Sequence, residues 1–347
     1  VELALPTDKP QALQTGAPPL VSVIVPTFNR VRYLGEALRS AVAQTYRTIE
    51  IIVSDDASKE NIFEAVVQPI GDPRIVYRRN SKTLGMGLNI WGALTSAQGK
   101  YVATLHDDDV WEPDFLSRLV PPLERDPTIG VAFSDHAIID EAGVLNPAGA
   151  DVNARHFCRD VLPSGKIESL VEIALVTQAI PAAMAALFRK ETIDWSDFPP
   201  EVGTFYDVWL TYLAARTGAA GYYDPARLTR YRVHQNSETR AWTNLPGRLR
   251  ALRQSEFMIR RCLADPAVAG VRPVMEAKYR RTVNSLVAAL FEDARPGEAR
   301  EVLRCAASVT RYPEHALIWA ATALPPRLLK QASRLTRLAY VSLLRRR

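Results

Sequence analysis

Between Val21 and Leu105 the chain alternates four times between short β-branched or apolar runs and stretches of helical period. That rhythm restricts the fold more than any other feature. Val21-Ser22-Val23-Ile24-Val25, Ile49-Glu50-Ile51-Ile52-Val53, Ile75-Val76-Tyr77-Arg78 and Tyr101-Val102-Ala103-Thr104-Leu105 have the composition of buried strands. Between them, Leu34, Leu38 and Val42 recur at helical spacing, and residues 60–68 and 85–97 read as further helices. Alternation at this pace predicts an α/β layer structure, a mainly parallel sheet flanked by helices. In such sheets ligands collect outside the carboxyl ends of the strands. Three polar clusters fall at those ends: residues 27–30, 55–58 and 106–109.

The third cluster is the most demanding chemically. His106-Asp107-Asp108-Asp109 places three adjacent carboxylates at the end of an apolar strand. Neighbouring carboxylates raise each other's pKa unless a cation or hydrogen-bond donors balance them. A hard divalent cation shared with substrate phosphates supplies that balance. The same residues also suit an acidic turn that caps a helix starting near Pro113.

Downstream the pattern loosens. Residues 130–134 and 181–188 read as strands, 145–165 as loop and 167–176 as helix. Residues 205–213 form an amphipathic helix with Gly218 past its end, and 220–223 and 228–232 are short strands. Beyond residue 245 the period is helical throughout. The expected organisation is a loose leader over residues 1–19, an α/β domain over 20–240 and a helical, basic region over 241–347.

Charge supports that division. Residues 241–347 hold 20 Lys and Arg against 8 Asp and Glu, whereas the remainder is acidic, so the net +5 conceals two halves of opposite sign. Residues 328–347 contain no acidic residue and carry leucines at helical spacing. Such a helix either lies on a membrane interface or packs on its own domain with a solvated basic face. No zinc-finger, homeodomain or RNP pattern is present, which argues against nucleic acid as a partner. Cys158, Cys262 and Cys305 fit no disulfide framework, as expected of a chain in a reducing cytoplasm, peripheral on the inner membrane face if the tail binds lipid.

Taken in order, Val23-Ile24-Val25-Pro26-Thr27-Phe28-Asn29-Arg30, Val53-Ser54-Asp55-Asp56-Ala57-Ser58 and Asp107-Asp108-Asp109-Val110-Trp111 resemble family 2 glycosyltransferases over roughly residues 20–240. The resemblance implies a GT-A fold and inverting transfer from a nucleoside-diphosphate sugar to a saccharide or lipid-linked acceptor, with Mn²⁺ or Mg²⁺ as cofactor. It places Pro26, Thr27, Asn29 and Arg30 around the nucleotide, Asp56 on the base imide, and Asn80 and Gly85 in the loop beneath it. It sets Asp107 near the ribose, Asp108 on the metal and Asp109 at a helix cap. Asp207, in Tyr206-Asp207-Val208-Trp209, takes the role of catalytic base, and His234, in Tyr231-Arg232-Val233-His234, that of a second metal or diphosphate ligand. Two positions depart from the family's usual pattern. His106 stands where the first carboxylate of the metal motif is common, and Tyr206 precedes the base where Glu is common. These departures keep a non-catalytic nucleotide-sugar-binding subunit as an alternative. A nucleotidyltransferase is a further one, although residues 26–30 lack the glycines its loop requires.

Overall fold

A computed structural model describes residues 16–235, 237, 242–309, 316, 318–320, 322 and 323. Most of the leader and the whole basic stretch 328–347 lie outside the described residues. Four parallel strands open the chain: β1 (Val21–Thr27), β2 (Ile49–Asp55), β3 (Ile75–Arg79) and β4 (Tyr101–Thr104). They alternate with α1 (Val31–Val42), a helical turn over Phe63–Val67, and α2 (Met86–Ser96). Period-2 alternation distributes β1, β2 and β4 between two cores. Val21, Val23 and Val25 face one apolar cluster and Ile24 the other, and Ile51 and Val53 part from Ile52 in the same way.

After β4 come β5 (Val110–Trp111), α3 (Phe115–Arg125), β6 (Ile129–Ile139), α4 (Pro147–His156), β7 (Gly165–Ile167) and β8 (Ala186–Arg189). Then α5 (Tyr206–Ala215), β9 (Ala220–Arg232), α6 (Leu245–Leu263), α7 (Arg272–Glu292) and α8 (Pro296–Val309) complete the described elements. The sheet runs β3-β2-β1-β4-β8-β6-β9-β5, with β7 also on β9. β8 is antiparallel to both β4 and β6, so the parallel half read from the sequence continues into a mixed half. Local period identifies a strand but carries no information about its direction.

Several downstream expectations change: β6 runs on to Ile139, and the strand expected over 181–188 is confined to Ala186–Arg189. β9 is one strand of 13 residues, not two, with the register against β6 shifting around Ser134 and Asp135. Pro225 lies within that irregular stretch, where a missing backbone N–H is tolerated. Residues 145–165 are not all loop. Asn146 caps α4 by accepting from Gly149 N at 2.9 Å, and Pro147 occupies the first turn. Only Ala150 and Ala154 are buried there, so no apolar period announces the helix. Within 167–176 the helical part is confined to Glu172–Val176.

Helices α6 to α8 contribute Ile259, Tyr279, Leu286, Leu290 and Leu303 to the same apolar cluster that receives Ile24 and Phe133 from the sheet. No helix among the described residues is long and apolar enough to cross a membrane.

Candidate active site

The loops after β1 and β2 are clipped together by their own side chains. Asn29 adopts φ 55°, a left-handed conformation that Asn tolerates. Its N–H donates to Ser58 Oγ at 2.9 Å and its Oδ1 accepts from Lys59 N at 2.8 Å. Asn29 therefore shapes the loop pair through its own polar groups. Beside it, Asp56 Oδ1 accepts from Leu84 N (2.8 Å) and Asn80 Nδ2 (2.9 Å), and Oδ2 from Gly85 N (2.8 Å). A carboxylate offers about four acceptor directions, so one on Oδ2 is left over by these three bonds. Asn80 in turn donates to Asn89 Oδ1 at 2.8 Å, which fastens the loop to α2.

This loop walls a cavity of about 550 Å³ bordered by Pro26, Thr27, Phe28, Arg30, Asp56 and Asp107, among others. Gly85 turns into α2 with φ 89°, where a side chain would be strained. Gly87 serves a different purpose. A Cβ there would sit 2.2 Å from the carbonyl oxygen of Gly203, so the close backbone approach that glycine permits is to the chain itself.

All three aspartates after β4 are buried. Arg30 Nη1 reaches Asp107 Oδ1 at 3.1 Å and Asp108 Oδ2 at 2.5 Å. His234 Nε2 donates to Asp108 Oδ2 at 2.9 Å. Asp109 does not cap a helix: α3 begins only at Phe115, preceded by Asp114. Asp109 Oδ1 instead accepts from Arg232 N at 2.9 Å. Its Oδ2 is buried with no hydrogen-bond partner among the described residues. Arg232 also donates to Asp108 O at 2.8 Å and to Glu36 Oε2 at 2.6 Å, which ties the end of β9 to the acidic run.

The charges in this cluster do not balance. Burial, then the neighbouring Asp108, pushes the Asp107 carboxyl up to about 7, with Arg30 opposing. Asp109 is raised well above the usual carboxylate range for the same two reasons. Burial also pushes Asp108 up, but the hydrogen bond from His234 and the charge of Arg30 overcome it and hold that group at about 2. Burial lowers the His106 pKa, which favours a neutral ring able to offer a lone pair, and its Nε2 shares a hydrogen bond with Tyr206 Oη at 2.6 Å.

One ligand atom each from His106, Asp108 and Asp109 lie within 4.8 Å of one another. With the orphaned Asp109 oxygen, that donor set fits a divalent cation, and the imidazole favours Mn²⁺ over Mg²⁺. Asp108, the expected metal residue, is one of the three. His234 stands behind Asp108 as its hydrogen-bond partner, outside this three-donor set, and Asp107 is engaged by Arg30.

Residues 22–173 match the family model described as glycosyl transferase family 2. Those residues belong to glycosyl transferase family 2. An uncharacterized glycosyltransferase of Rickettsia conorii is 29% identical over 232 residues, covering 65% of this chain, which spans 36% of that protein. Among solved structures, a mannosyltransferase from Pyrobaculum calidifontis in complex with GDP-Man and Mn²⁺ superposes with a TM-score of 0.54 at 20% identity, covering 96% of this chain and 91% of that one. S. aureus TarS 1–349 in complex with UDP-GlcNAc gives 0.52 at 15% identity, with 91% of each chain covered. At these identities the likeness is one of fold, the GT-A arrangement.

Beyond the family 2 match, α5 brings Asp207 to a second cavity of about 480 Å³ that Asp108 and Asp109 also border. Asp207 Oδ1 accepts from Val208 N at 2.8 Å, and burial raises its carboxyl to about 6. The two cavities share Arg30, Met86, His106 and Thr204, so the acidic cluster stands at their junction. Trp242 stacks on Phe205 at 5.6 Å between centroids and borders the second cavity. The expected residues divide between the two cavities. Pro26, Thr27, Arg30, Asp56, Gly85 and Asp107 border the first cavity, and Asp207 and Asp108 border the second. Asn80 borders neither but holds Asp56. Reading the sequence missed Asp109 as a candidate donor, and it noted Tyr206 and His106 as separate departures without joining them.

Proposed function

We propose that the chain is an inverting glycosyltransferase that moves a sugar from a UDP- or TDP-linked donor to a hydroxyl of a saccharide or lipid-linked acceptor. One observation carries the reading: a half-buried carboxyl with a pKa raised to about 6, Asp207, borders the same cavity as an acidic cluster that is short of positive charge.

The donor's base enters the first cavity beside the half-exposed Phe28 ring, and the spare acceptor direction of Asp56 takes an imide N–H of uracil or thymine. That contact reads the base by pairing. Arg30 exchanges its carboxylate partners for the diphosphate, as a charge-assisted donor. His106, Asp108 and Asp109 are the residues that would hold Mn²⁺ or Mg²⁺, which when bound neutralises the charge of the departing nucleoside diphosphate. His234 keeps Asp108 ionised and oriented. Asp207 accepts the proton of the acceptor hydroxyl as that oxygen attacks the anomeric carbon from the face opposite the diphosphate. The C–O bond to the acceptor forms as the bond to phosphate breaks, with no covalent enzyme intermediate. A base with a pKa near the working pH suits this transfer.

The stereochemical course tests the proposal. Proton NMR of the product from an α-linked UDP-sugar should show a β-glycoside. An α-glycoside would rule out direct displacement with Asp207 as base.

A further inference from the structure

Accepting the reading above, the second cavity extends past the acidic cluster to residues that donor chemistry leaves unused. β6 continues beyond the stretch read from the sequence and delivers Asp135 and His136 into the interior. His136 is 3% exposed, borders the cavity, and neither ring nitrogen makes a well-aligned hydrogen bond to a described residue; the Asn153 side chain, which approaches it, is already taken by Arg159. Its Nδ1 is 4.0 Å from Asp135 Oδ1, too far to bond, and Asp135 is already held by Arg159 Nε at 2.8 Å. A buried side chain with two unsatisfied polar atoms is costly unless something else supplies partners.

The surroundings limit what that partner can be. Arg159 and Arg227 face Asp135 at 2.8 and 3.6 Å, and Arg227 also pairs with Asp151, so two cations meet two anions. Burial, then the Arg159 guanidinium, holds the His136 ring pKa down at about 3, so the imidazole is neutral. A neutral ring presents one donor and one acceptor. Neighbouring sugar hydroxyls can satisfy both functions, whereas a phosphate or carboxylate would bring a charge for which no unpaired cation remains beside the ring among the described residues. Phe157, Ile180 and Met184 border the same cavity and suit the C–H faces of a pyranose.

We infer that His136, braced by the Asp135–Arg159 pair, is the hydroxyl-reading subsite of the acceptor half of the cavity, and that the group it takes is an uncharged saccharide ring.

The test uses the full chain labelled with ¹⁵N-histidine, with and without Mg²⁺ plus whichever of UDP, TDP or GDP binds. The His136 ring signals, assigned by their loss in His136→Gln, are followed while methyl hexosides or hexose 6-phosphates are added. At least one methyl hexoside should shift these signals saturably, and the 6-phosphates should not. In His136→Leu the same hexoside, followed by saturation-transfer difference, should bind at least tenfold more weakly while nucleotide affinity stays within twofold. His136→Gln, which keeps a donor and an acceptor, should retain part of the hexoside affinity and guards against a folding defect in the leucine variant. Response to the phosphates alone, or to no sugar while a nucleotide still binds, overturns the subsite but leaves the donor reading standing. Failure of every nucleotide to bind, with hexosides still shifting His136, would instead remove the donor reading.

Discussion

Asp207→Asn separates chemistry from binding more cleanly than any other substitution in this site. Asparagine keeps the side-chain oxygen that accepts from Val208 N, so the first turn of α5 retains its hydrogen bond at 2.8 Å. The change removes only the capacity to take a proton. General-base catalysis by a positioned side chain contributes about 10²–10⁴-fold, or about 3–5.5 kcal/mol of transition-state free energy. Turnover should fall by that factor while nucleotide affinity, which depends on the first cavity, stays within about twofold. The pH profile gives an independent reading. Because burial raises the Asp207 carboxyl to about 6, the base is protonated and inactive below that value. The wild-type kcat/KM should therefore rise with pH, with about a tenth of the plateau rate at pH 5 and a level above about pH 7. The residual activity of the asparagine variant should lack that acid limb. Initial rates from pH 4.5 to 8.5, with isothermal titration of the nucleotide, provide both readings. Residual activity within threefold of wild type, or an acid limb unchanged in the variant, would refute Asp207 as the base.

Other perturbations test the supporting structure. Asp109→Asn keeps the bond from Arg232 but loses a negative donor, so Mn²⁺ affinity measured by calorimetry should fall by about tenfold or more; unchanged affinity would remove Asp109 from the metal site. Asp56→Ala releases Asn80 Nδ2, Leu84 N and Gly85 N, and since 84 and 85 are exposed enough for water to replace part of the loss, the cost should be about 1–3 kcal/mol by urea unfolding, along with lost nucleotide binding. Gly87→Ala drives a methyl against Gly203 O and should cost about 1–3 kcal/mol, whereas Gly270→Ala, with nothing within 4 Å of the new Cβ, should be neutral or slightly stabilising. Equal urea midpoints for the two variants would mean that the 200–205 segment yields freely.

How much of this could be read in advance depended on how local the physics was. β1, β2 and β4 are covered on both faces, so their apolar runs were visible without knowledge of their neighbours, whereas β3, at the sheet edge, leaves Val76 half-exposed. Asp56 and Asp207 entered as candidates for their roles through the resemblance alone, and each sits at the boundary of an element. Asp109 was misassigned because its partner is the backbone of Arg232, 123 positions away, and no local signal connects the two. Helix α4 buries too little apolar surface to produce a period, and only the Asn146-Pro147 pair hinted at its start. β6 was read as ending at Ser134, which left out the Asp135-His136 step on which the acceptor side depends. The raised carboxyl of Asp207 follows from its partial burial in the cavity wall, a property of the assembled chain alone.

Binding of nucleoside diphosphates with and without Mn²⁺ addresses most directly whether the acidic cluster and the Asp56 loop form one donor site. In a thermal-shift and denaturant series with UDP, TDP and GDP, UDP or TDP should stabilise the protein, by about 2.7 kcal/mol at 100 times its Kd. Mn²⁺ should strengthen that effect, and Asp109→Asn should abolish the metal's contribution while leaving part of the nucleotide's. Stabilisation by none of the three nucleotides under either metal condition would contradict the donor site.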